Sequence, residues 1–109
     1  MPADIKEADW KVLRRAHPLA LERFCERVLA EVAHVSGDRA RSYHDRYLQI
    51  YKIMEQRERE LAQLFDNPRR SQGLRMLAHI RAEGLLTDEE FSRLSPETRD
   101  AIGILLGAG

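Results

Sequence analysis

Glu31 and His34 form the one Glu-x-x-His pair in the chain, a spacing that sets both side chains on one face of a helix. Carboxylate-bridged metal sites in helical bundles use this pair, but they need a second copy and carboxylates from two further helices. His79 with Glu83, at i,i+4, is the nearest approximation to that second copy. A histidine near a helix C-terminus is equally well explained by the dipole, which favours a cation there. A small metal- or ligand-binding bundle is therefore the second alternative. Cys25 falls among apolar residues at helical spacing, which reads as a small core residue rather than a nucleophile. His17 and His44 flank expected helix boundaries without an evident partner. No nucleophile, base and orienting group can be named together, so the expectation is no enzyme and no cofactor.

The arginines offer a different chemistry. Between Asn67 and Arg81 stand Arg69, Arg70, Arg75 and Arg81 with no acid, whereas six acids and two arginines lie between Glu83 and Asp100, giving segments of +4 and −4. Arg69 and Arg70 are expected in the first turn of a helix, where the dipole disfavours cations and something should compensate. An acid of the same chain would serve, as would an anionic partner or the acidic segment of another copy. Nucleic acid is the first alternative partner, because this Arg-rich fourth helix, the turn GLLT and the next helix superficially resemble a helix-turn-helix. Against it, the would-be recognition helix opens with Asp88, Glu89 and Glu90 and is short. The four arginines also scatter around the helix, with only Arg70 and Arg81 on one line. Nucleic-acid binding is therefore disfavoured.

A third chemistry is recognition. Tyr43 to Phe65, YHDRYLQIYKIMEQRERELAQLF, reads as one helix about 36 Å long if it runs to residue 66. Tyr47, Ile50, Tyr51, Met54, Leu61, Leu64 and Phe65 form an expected core-facing stripe, interrupted at Arg57 and Glu58. The interruption is either a solvated middle, with Glu55 and Arg59 pairing at i,i+4 and Arg57 and Glu60 at i,i+3, or a polar break that fixes the register of a partner seam. Tyr43, Tyr47 and Tyr51 make an i,i+4 ladder, read first as core packing with hydroxyls at the rim. Exposed, such a ladder would anchor an interface, since tyrosine brings area at low entropy cost. The candidate interaction residues are thus Tyr47, Tyr51, Met54, Arg57, Glu58, Arg69 and Arg70.

The surrounding elements read as helices throughout, with no period-two alternation of a strand. Asp4 and Glu7 suggest a capping box for a first helix from about Ile5 to Ala16, anchored by Trp10 and Leu13. Pro18 should end it and open a second helix to about Val35, whose Leu21, Phe24, Cys25, Val28, Val32 and Val35 recur at three and four. Ser36, Gly37 and Asp38 supply the stop, and a loop this short should return the long helix antiparallel, making the hairpin the core. Ser42 with Asp45 offers a second capping box for that helix, which could also begin nearer Asp38. Asn67 and Pro68 read as N-cap and first position of the fourth helix, with Leu74, Leu77 and Ile80 inward. Gly84 at C′, with Leu85 against Ile80, suits a Schellman motif. Thr87 and Glu90 then form a capping box with Leu86 and Phe91 as hydrophobic staple. A short helix to Leu94 follows. Ser95 and Pro96 open the last one, with Ile102, Leu105 and Leu106 expected to face inward. The stretch GLLTDEEF resembles the pattern of short C-terminal helical oligomerisation domains in bacterial proteins, over eight residues, and is read here as capping chemistry alone.

At 109 residues, 43% apolar and 33% charged, the chain fits a single helical domain over residues 1–109, with a tail from about Gly103 free to flex. Net charge is zero, unlike that of a generic polyanion binder. Arg outnumbers Lys 15 to 3, a bias that interfaces share. One cysteine excludes an intrachain disulfide and suits a reducing compartment. MPADIKEADWK lacks the apolar stretch of a signal peptide, and AIGILLGAG is too short to span a bilayer. The expectation is a cytoplasmic, all-α bundle of about five helices built on a central antiparallel hairpin. Its expected function is protein interaction or self-association, as a dimer if the partner is itself, with no membrane involvement.

Overall fold

A computed structural model describes residues 4–107. The fold is all-α: α1 (Glu7–Ser36), α2 (Tyr43–Phe65), α3 (Gly73–Ala82), α4 (Asp88–Ser92) and α5 (Pro96–Leu105), with a single 3-10 turn at Arg70–Gln72 before α3. Among the described residues there is no strand.

Two expected helices are one. α1 runs 30 residues straight through Pro18. The buried positions Leu13, Ala16, Ala20, Phe24 and Val28 keep a three-and-four spacing across the proline, so a break there would put one half of the stripe out of phase with the core. Pro18 is exposed, which leaves the carbonyl of Arg14, its lost hydrogen-bond partner, on the side open to water. The expected start at Asp4 also moves. Lys6 is the N-cap, with extended backbone and no side-chain cap. Ile5 is drawn into the core beside Gly73, and its carbonyl accepts from Arg70 Nε at 2.9 Å, so residues 5 and 6 are pulled out of helical geometry.

α1 and α2 contact each other in opposite order. His17 Nε2 donates to the carbonyl of Phe65 at 3.0 Å, Arg57 meets Glu31, and Arg46 Nη1 donates to the carbonyl of Ser36 at 2.7 Å. The core lies elsewhere than expected. It joins α1 as far as Val28 and the last turn of α2 to α3, α4 and α5, through Leu13, Phe24, Phe65, Leu77, Ile80, Leu85, Leu94 and Ile102. The other half of the hairpin stands out as an arm, and the molecule measures 54 × 25 × 24 Å. Among the described residues no third helix packs over that arm, which is why the core is not the hairpin.

The punctuation explains the head. Asn67 adopts φ 51°, so it cannot serve as the expected N-cap, which needs extended backbone. The left-handed turn delays the helix to Gly73. A Schellman motif closes α3: Gly84 takes φ 71°, and the Leu85 amide donates to the Ile80 carbonyl at 3.0 Å with both side chains buried. Thr87 and Glu90 form both halves of the capping box, and Ser95 caps α5 with Pro96 behind it. Glu90 also takes a two-pronged bond from Arg23, at 2.8 and 3.0 Å, tying α4 to α1. Asp9, 1% exposed, accepts from the Ser95 amide and hydroxyl at 2.7 Å each and from the Thr98 hydroxyl at 2.6 Å. A carboxylate is thereby held against the N-terminus of α5, where the dipole favours it. Ile102 is buried, but Leu105 and Leu106 are exposed, against expectation, because α5 ends there and none of the described residues covers them. α5 takes the expected tail in helix to Leu105, a turn follows at Leu106 and Gly107, and residues 108 and 109 lie outside the described residues.

Candidate functional site

The hairpin has two unlike sides. On one, a cleft of about 520 Å³ between α1, α2 and α3 is lined by Arg27, Glu31, Arg57, Glu60, His79 and Glu83. Arg57 occupies its centre. Its Nε and Nη2 donate to the two oxygens of Glu31 at 3.0 and 3.2 Å, and Nη1 donates to Glu60 at 2.7 Å. The hydrogen bond from Arg57 holds the Glu31 carboxyl below its ordinary value, outweighing the opposing desolvation, with the Arg57 charge adding a smaller lowering. Arg27 donates to the carbonyls of Glu83 and Gly84 at 2.6 and 2.9 Å, satisfying the end of α3. The pair that suggested a metal site is therefore divided: Glu31 is committed to a guanidinium and His34 is exposed near the end of α1. Among the described residues no three His, Cys, Asp or Glu side chains converge as metal ligands.

The opposite side is apolar. Tyr47, Tyr51 and Met54, expected in the core, are 68%, 60% and 45% exposed, and Leu29 of α1, 64% exposed, lines one groove with Met54. The reason is rotational. α2 turns Ile53, Arg57, Glu60 and Leu64 toward α1, at spacings of four, three and four, which leaves the tyrosines a quarter-turn or more away. Near Phe65 the broad stripe is covered, because α1 supplies His17 and Phe24 edge-on to its ring. Further along the arm that cover stops. A groove of about 310 Å³ opens there, lined by Cys25, Leu29, Met54, Glu58 and Leu61 over Phe24 and Val28. Cys25 is half-buried at its edge rather than enclosed in the core.

The remaining candidates separate. Glu58 sits in this groove whereas Arg57, its neighbour, is turned to the charged cleft as well, so the polar break in the stripe is shared between two surfaces. Arg70 holds the carbonyl of Ile5, and Arg69 is exposed in the loop before α3, so neither stands in a first α-helical turn. Arg81 reaches the Leu86 carbonyl and Asp88, at 3.1 and 2.9 Å, and covers the Phe91 ring at 4.3 Å. With Arg23–Glu90, Arg93–Glu89 and Lys6–Glu97, most of the acidic block is paired within the chain. α4, the element in the place of a recognition helix, is five residues long.

Leu29 was missed in the sequence reading. Its signal was present, since an apolar residue one turn after Cys25 and outside the Phe24–Val28 row widens the stripe beyond what one packed neighbour covers. No helix among the described residues is long and apolar enough to cross a membrane. No protein-family model, no curated protein and no solved structure matches the chain.

Proposed function

We propose that this chain is a protein-interaction module that docks a partner on the apolar flank of its arm, formed by Leu29, Tyr47, Tyr51 and Met54. The observation that carries the reading is a groove, lined by Leu29 and Met54 of that flank, whose floor of Phe24 and Val28 is core. A partner side chain entering it would reach Phe24 and Val28 directly, the packed and desolvated setting in which interface energy concentrates. Tyrosines at the rim add area with little rotamer entropy to lose. At about 200 Å² for a fully exposed large apolar side chain, these four leave on the order of 400–500 Å² bare, the size of the largest apolar patch on a typical monomer, which is often functional. The paired acids of the head and the scattered arginines support this reading over nucleic-acid binding, which needs an unpaired basic stripe.

A photo-reactive phenylalanine analogue placed at Tyr51, or at Arg75 on the exposed side of α3 as control, tests the proposal in producing cells. Discrete covalent adducts from position 51 and none from position 75 are expected. Equal labelling from both, or none from either, overturns it.

A further inference from the structure

The flank carries its own complement. At the base of the arm, Glu22 and Glu26 lie in one row with Leu29, at i, i+4 and i+7, while Glu55 and Glu58 follow Tyr51 at the same steps on α2. None of the four has an ion-pair partner among the described residues. At the tip the charge reverses. Arg39 and Arg41 are exposed in the loop between α1 and α2, with His44 and Arg46 on the first turn of α2, against two acids, Asp45 and Asp38, the latter pairing with Arg41 at 3.4 Å. From Glu26 to Arg39 the arm runs about 20 Å, enough to keep the two sets apart within one copy.

From this arrangement we infer that the partner is a second copy of this chain, packed arm against arm and antiparallel about a two-fold axis near Tyr51. This rests on the docking reading above. An isologous interface requires a surface that complements itself after a half-turn, and an acidic base with a basic tip flanking a shared apolar centre does so. Parallel packing would set glutamates on glutamates, which costs both specificity and affinity. In the antiparallel pair the tip arginines of each copy reach the base glutamates of the other, Leu29 and Met54 close over the axis, and four helices complete a bundle that one chain builds only in half. The bare apolar area is over half of the ~800 Å² that each partner contributes to a standard interface, with the charged rim supplying the rest.

Sedimentation equilibrium of the full chain tests this with two charge-reversed variants, Arg39→Glu with Arg41→Glu, and Glu22→Arg with Glu26→Arg. Both sets are exposed, so helicity by circular dichroism should be unchanged. The unaltered chain is expected to dimerise, each variant alone to dimerise at least about tenfold more weakly, and an equimolar mixture to regain the original affinity as a heterodimer. A mixture no tighter than its components overturns the antiparallel register. A chain that stays monomeric up to about 1 mM overturns self-association. In that case adducts from position 51 with masses other than twice the chain keep the docking reading and remove only the second copy, whereas absence of adducts removes both.

Discussion

Asp9 shows how one side chain positions an element. Burial alone pushes its carboxyl up, but hydrogen bonds from Thr98 and Ser95 outweigh it and hold the group below the ordinary range. Asp9→Ala strands two hydroxyls and an amide in the core, and should cost about 3 kcal/mol of stability by urea titration, with Asp9→Asn milder because one acceptor survives. Glu90, lowered chiefly by the Arg23 hydrogen bond, and Glu31, lowered chiefly by that of Arg57, share the direction. The sign follows. All three hold protons less tightly when folded, so the unfolded chain is favoured once protons bind; this stability is fully present above about pH 5 and is lost as pH falls through 4 and below. Thermal midpoints in a pH series should drop on that acid limb, and the Asp9→Asn variant should drop less steeply. Little of this was legible in sequence. Thr87 with Glu90 was, because capping is local, but Asp9 and Ser95 lie 86 residues apart.

At the scale of elements, Pro18 separates local preference from packing. Its ring and missing amide argue for a boundary, yet the apolar row on either side is continuous and α1 does not break. The cost is then retained in the folded state. Pro18→Ala should stabilise the chain by about 1–3 kcal/mol, since it restores a hydrogen bond at an exposed helical site and adds a better helix former; a loss of stability in urea would contradict the account. Asn67 shows the reverse case, in which local chemistry was read correctly as a turn and wrongly as a cap. Asn occupies both, and only the left-handed φ, set by how α2 hands the chain to α3, tells them apart. Gly84 was unambiguous because glycine at φ 71° with a buried contact from Leu85 has few competitors.

For the whole molecule the division is between a packed head and a bare arm. Head amides of α3 and of α1 from Leu13 to Phe24 are surrounded by core, whereas residues 36–48 have one helix as neighbour. Hydrogen exchange on the monomer should therefore show protection near the global limit in the head and fast opening at the tip. Association through the flank would slow exchange on the arm selectively as concentration rises. A uniform slowing of head and arm together would point to a different surface.

What the sequence determined by itself is whatever depends on neighbours along the chain: helical class, the end of α1 at Ser36 and Gly37, and the caps at Ser42, Thr87 and Ser95 with the Schellman close at Gly84. Apolar spacing also marked Tyr47, Tyr51 and Met54 as residues that should touch something. Only the tertiary structure decided what they touch. A helical stripe wider than its neighbour must leave one edge uncovered, and which edge depends on how α2 is rotated against α1, a choice fixed by Ile53, Leu64 and the Arg57–Glu31 bond. That rotation gives Phe65 to the core and the tyrosines to solvent.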